Sequence, residues 1–171
     1  MIMLNKPFIH IFFPIILIII LNLIRYLFGI NIQIEKSKKP NKLFPPGYII
    51  GIIWLIIFGL LGYAHYLIYM LKNGFSFASL SIVFMLLFSI SYPFLIRLGF
   101  KIGLIINLIT LILSFILGII IIIESKYIFL YIIPLLLWAS YVNIVDTIDC
   151  STLQHATSSP VHGWTLEERI R

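Results

Sequence analysis

PPGYIIGIIWLIIFGLLGYAHYLIYM, the stretch from Pro45 to Met70, decides what kind of molecule this is. A double proline opens it, and no Asp, Glu, Lys or Arg appears before Lys72. Wound as a helix, Tyr48 to Met70 is roughly 34 Å long, enough to cross the hydrocarbon core of a bilayer. Gly51, Trp54, Phe58, Gly62, His65 and Tyr69 recur at steps of three or four and share one helix face. Ile49, Ile53, Ile56, Leu60 and Leu67 fall mainly on the other. The aliphatic face suits lipid. The aromatic, glycine-notched face suits protein or a bound molecule.

Working outward, the composition agrees. The 171 residues are 61% hydrophobic and 11% charged, with a mean hydropathy of +1.13. A soluble domain of this length needs a polar shell that these residues cannot supply. The expected architecture is all-α: a polytopic membrane bundle of five transmembrane helices over about 8–28, 48–71, 77–96, 103–123 and 127–148. Residues 1–149 form the bundle and 150–171 a polar tail. The first apolar run is long for a signal peptide and lacks a small-x-small cleavage site, so it reads as a retained helix.

Charge sets a direction rather than a nucleic-acid partner. The net charge of +6 sits in short loops between apolar runs. The N-terminus, second loop and fourth loop carry Lys6, Lys72 and Lys126. The first loop, third loop and tail carry Arg25, Lys36, Lys38, Lys39, Lys42, Arg97, Lys101, Arg169 and Arg171. By the positive-inside rule the N-terminus lies outside, and the first loop and C-terminus are cytoplasmic. Arg25 is placed to snorkel to the headgroups.

Little reactive chemistry is visible. The single cysteine, Cys150, excludes an intrachain disulfide and a cysteine-clustered metal site. There is no carboxylate pair, Ser/His/Asp set or Gly-rich phosphate loop, so no catalytic residue is assigned. His10 and His65 fall toward the same end of the bundle; they read as interfacial hydrogen-bonders before axial haem ligands. Glu124, Asp146 and Asp149 all lie near helix ends, which disfavours ion-coupled transport. Asn107, Thr110, Ser114 and Gly118 form a small, weakly polar stripe that suits close helix packing. Gly59 and Gly62 suit either a homodimer contact or packing within one bundle.

The residues Lys39-Pro40, Pro45-Pro46, Tyr48, Gly51, Trp54, Phe58, Gly62 and Tyr63 are spaced like a known signature. It resembles that of the translocator protein/tryptophan-rich sensory protein family. Pro134, Trp138, Val142 and Asp146 resemble that family's fifth-helix signature, and Tyr92-Pro93 stands where the family tends to have Trp-Pro. There are departures. Tyr48, Phe58 and Tyr92 replace Trp, Tyr and Trp; Asp146 replaces Asn; Leu104 stands where a ligand-facing Trp often sits; and Pro40 to Pro45 is one residue longer.

The resemblance implies a five-helix bundle around a pocket roofed by the first loop. It implies a flat hydrophobic ligand, a porphyrin or haem before a sterol, with no required cofactor. By position, the pocket is lined by Ile50, Gly51, Ile53, Trp54, Phe58, Leu104, Trp138, Val142, Val145 and Asp146. Pro40, Phe44, Pro45 and Pro46 belong to the lid. From the residues alone, Gly51 admits a flat ring to the backbone, and Trp54 and Trp138 offer stacking faces. Two rival readings are a porphyrin-degrading enzyme and a structural membrane protein whose pocket has filled with isoleucine.

Overall fold

The computed structural model describes residues 7–27, 43, 45–95 and 100–158. All of the regular structure among them is helical: α1 (Pro7–Leu27), α2 (Gly47–Leu71), α3 (Phe77–Leu95), α4 (Phe100–Glu124), the four-residue α5 (Lys126–Phe129) and α6 (Ile133–Ser158). Of the sequence expectations, the lid residues Pro40 and Phe44, the loop lysines and the end of the tail lie outside the described residues. So do Arg97 and the side chains of Arg25 and Cys150.

The helix ends follow from local chemistry. Pro46, with φ −54° and ψ 145°, caps α2, and its carbonyl accepts from the Ile49 and Ile50 N–H groups. Proline costs nothing there, because a first-turn N–H has no intrahelical partner. At the far end, Gly74 N–H reaches the Tyr69 carbonyl and Asn73 N–H the Met70 carbonyl. Those two bonds define a Schellman motif, and Asn73 takes the left-handed position at φ 53°. Ser76 then caps α3, its Oγ accepting from the Ser79 N–H at 3.2 Å.

The fifth apolar segment is not the single helix expected over 127–148. The chain breaks after Phe129 and restarts at Ile133, where Pro134 lacks a donor and disfavours helical backbone at the residue before it. α6 then runs ten residues past the expected end, into the stretch read as a polar tail.

The packing order is α1 on α2, α2 on α3, α3 on α4, and α4 on α6, with α5 touching α2 and α4. The core is apolar and contiguous through Phe58, Leu61, Ile68, Ile82, Ile121 and Ile132. Two helices, Gly47–Leu71 and Ile102–Glu124, are long and apolar enough to cross a membrane, with hydropathies of 2.1 and 3.0. Pro7–Leu21, Phe77–Tyr92 and Ile133–Ile148 are shorter apolar helices. Ile105, Leu108, Ile112, Ile119 and Ile123 of α4 all face outward. An aliphatic ridge of that kind is stable against acyl chains and unstable against water.

The predicted inner face of α2 is turned slightly from its expected direction. Phe58, Gly62 and His65 are buried as expected, together with Ile57, Leu61, Ala64 and Ile68. Gly51 and Ile56 are exposed, and Ile53 and Leu67, expected toward lipid, pack partly against the core. Gly59 and Gly62 face α1 of the same chain: Cβ atoms there would meet Ile15 Cδ1 at 3.5 Å and the His10 carbonyl oxygen at 2.2 Å. The stripe on α4 serves packing too. Asn107, Thr110 and Ser114 are buried, and Gly118 lies against Phe129 and Leu136.

Among the described residues an ion pair ties helix ends together: Lys72 Nζ lies 2.5 Å from Glu124 Oε2, with side chains 41% and 25% exposed. An exposed pair of this kind contributes little. Lys72→Met is expected to lower stability by under ~1 kcal/mol. The loss should vanish in high salt, where the charges are screened. Thermal unfolding at two salt concentrations reads both.

Candidate functional site

Two indoles anchor the region that the sequence singled out. Trp54, in the third turn of α2, stacks on Phe58 with ring centroids 5.5 Å apart. Trp138, early in α6, stacks on Tyr141 at 5.6 Å. Both indoles are half-buried and lie against the core rather than standing free. Tyr141 also donates its hydroxyl to the Leu43 carbonyl. That bond brings the chain just ahead of Pro45 and Pro46 onto α6 beside Trp138.

The other predicted residues divide by burial. Phe58, Val142 and Val145 are buried at 1%, 9% and 3% exposure. Ile50, Ile53, Leu104 and Asp146 are half-buried, and Gly51 is open. Among the described residues, no heavy atom beyond the adjoining backbone of α2 lies within 4 Å of where a Cβ on Gly51 would sit. Since Gly51 precedes Trp54 by three residues, that free space adjoins the indole on one helix face. Pro45 is half-buried and Pro46 exposed.

Asp146 does not stand alone. Asn107 on α4 donates to its Oδ2 at 2.5 Å. Asn143, one turn earlier on α6, donates to the Asn107 backbone carbonyl at 2.9 Å and to Ala139 O at 2.8 Å. Tyr92 of α3 hydrogen-bonds the Asn107 side chain and lies within the field of Asp146. The result is a polar knot among three helices inside an otherwise apolar wall. Asn107 was visible in the sequence as part of a small-residue stripe, and Asn143 precedes Asp146 by three. What the sequence lacks is the register of α4 on α6 that joins them. Tyr141 was missed too, although it follows Trp138 by three.

A separate open groove of about 370 Å³ lies between α3 and α4, lined by Phe77, Leu80, Phe84, Met85, Leu113 and Ile116 among others. It contains none of the predicted site residues. Phe77, Leu80, Phe84 and Ile116 are also exposed, so the groove belongs to the apolar outer surface.

The helices, their aliphatic outer faces and the half-buried aromatic site define an integral membrane protein of the all-α class. The chain belongs to the TspO/MBR family, whose model matches residues 10–147. No curated protein and no solved structure matches the chain.

Proposed function

We propose that this protein binds a flat hydrophobic ligand, porphyrin-like before sterol-like, between α2 and α6. The observation that carries the reading is the pair of half-buried indoles, each backed by a second ring and neither packed fully into the core. Aromatic faces of this kind hold a planar ring system by stacking, and the space beside Gly51 admits its edge. The Tyr141–Leu43 bond supports a first loop that closes over the same end as a lid. Five long helices form the bundle, and the basic residues put the first loop and the C-terminus in the cytoplasm and the N-terminus outside. A homodimer would have to use another face than Gly59 and Gly62, which are taken up by α1.

The test is a titration of the detergent-solubilised protein with protoporphyrin, followed by tryptophan fluorescence. Saturable quenching is expected, with affinity falling roughly 5- to 150-fold in Trp54→Leu/Trp138→Leu, from about 0.5–1.5 kcal/mol per aromatic pair. The same ligand should raise the melting temperature of the native chain, because it binds only the folded state. Quenching that is absent in the native chain, or an affinity unchanged in the double variant when followed by the absorbance of the porphyrin, overturns the reading. Absence of both quenching and a melting shift leaves a structural membrane protein; light-driven loss of porphyrin absorbance that needs both indoles leaves a degrading enzyme.

A further inference from the structure

The groove between α3 and α4 has a floor, walls and a charged end. Met85 and Leu117 are buried and form the floor, while Phe77, Leu80, Phe84 and Ile116 stand as exposed walls. Phe84 stacks on Phe88, centroids 6.4 Å apart, which holds that wall in place. The polar side chain in the lining, Ser81, is satisfied by its own helix, its hydroxyl donating to the Phe77 carbonyl at 2.8 Å. What the groove offers an occupant is therefore apolar contact alone. It extends roughly 12 Å along α3, from Phe77 to Met85.

The charged end follows from helix periodicity. On α4 the lining residues Leu113, Ile116, Leu117 and Ile120 step by three or four, and Glu124 comes four after Ile120. Glu124 thus stands on the same face, one turn beyond the slot. Lys72 meets it there at 2.5 Å. As a stabiliser this part-exposed pair is weak. As a recognition element it is a cation and an anion fixed side by side where an apolar slot ends. The pair engages one carboxylate oxygen, and an ammonium has three donors, so both groups keep capacity for a further partner. Lys126, exposed two residues past Glu124, adds positive charge at that end.

We propose that the groove is a phospholipid site, with one acyl chain between α3 and α4 and a phosphoethanolamine head on the Lys72–Glu124 pair. The lipid has the matching parts in the matching order: apolar chain, phosphate, then ammonium. Its phosphate accepts from Lys72, and its ammonium donates to Glu124, both charge-assisted. A choline head has no N–H to donate, and a glycerol head has no cation for Glu124. A helix from a second copy fits less well, because close helix approach needs small residues and this rim carries Phe77, Leu80 and Phe84. The site shares no residue with the aromatic pocket and does not depend on it.

The test is a competition for the full chain in mild detergent. The probes are phosphatidylethanolamine, phosphatidylcholine and phosphatidylglycerol of one acyl composition, in equal amounts, and retained lipid is counted by native mass spectrometry. One phosphatidylethanolamine per chain is expected, favoured roughly fivefold over phosphatidylcholine, the size of one net hydrogen bond. Glu124→Leu should erase that preference. Ser81→Trp, which fills the slot from its wall, should lower retention of all three lipids. Three results overturn the proposal: no preference for the ethanolamine lipid over the choline lipid, retention led by phosphatidylglycerol, or retention untouched by Ser81→Trp. A dimer that Ser81→Trp splits also overturns it, and makes the groove a contact between copies. If either variant fails to fold, the competition on the native chain decides.

Discussion

A single methyl group at Gly62 is expected to destabilise the protein by roughly 3 kcal/mol, the upper end of what overpacking costs. The Cβ of Gly62→Ala would sit 2.2 Å from the His10 carbonyl oxygen and 3.0 Å from both the His10 carbonyl carbon and Ile11 Cα. All three are backbone atoms of α1, so no rotamer change relieves the clash and the whole helix must back away. Gly59→Ala, three residues earlier on the same seam, meets only the Ile15 Cδ1 methyl at 3.5 Å, an ordinary contact. That variant should be neutral or gain up to ~1 kcal/mol from helix propensity. Thermal unfolding in detergent, followed by far-UV circular dichroism, compares the pair. Equal melting temperatures for the two variants would mean that α1 does not dock on α2 through Gly62.

The contrast also shows where sequence reading ends. Gly59 and Gly62 look alike as letters, and both suit close packing by the same rule. Only the register of α1 on α2 separates a tight backbone contact from a loose one. The hydrogen bond that joins His10 Nδ1 to His65 Nδ1 at 2.7 Å was out of reach for the same reason, although His65 sits three residues from Gly62 and so shares its face. Other features were written in the chain. Pro45-Pro46 marks the start of α2, and the absence of charge to Lys72 gives its length. Pro134 equally marks the restart of α6, but the apolar run from Tyr127 onward masked it, because isoleucine-rich segments carry no period that reveals a break. The tail was read as polar and without apolar periodicity, which hid the continuation of α6 through Ser158. The indoles and the burial of Phe58 were legible, whereas the burial of Val142 and Val145 depends on neighbours that the sequence does not order.

Asn107→Leu is expected to cost about 2–3 kcal/mol, the usual loss when a hydrogen bond to a charged group is removed from a part-buried site. Asn107 is 9% exposed and donates to Asp146 at 2.5 Å. Leucine keeps the branched shape and the heavy-atom count of asparagine, so the substitution changes mainly the polar term. Three further variants, Asp146→Asn, Asp146→Leu and the double leucine variant, separate the causes. Asp146→Asn keeps a group that can accept from Asn107 and removes the charge; it should change stability by less than ~1 kcal/mol. Asn107→Leu/Asp146→Leu should cost less than the two single leucine variants added together, since the double change leaves no charge stranded. Unfolding in mixed detergent and sodium dodecyl sulfate micelles, read by tryptophan fluorescence, gives all four values. Additive losses would mean that Asp146 does not depend on Asn107, and the polar link between α4 and α6 would then be the Asn143 amide on the Asn107 carbonyl. A non-additive result would identify the Asn107–Asp146 bond as the polar clasp of that seam, with Tyr92 and Asn143 as its neighbours. It would also predict that a ligand seated beside Val142 and Val145 is sensitive to the same substitution, because those residues share α6 with Asp146 and move with it.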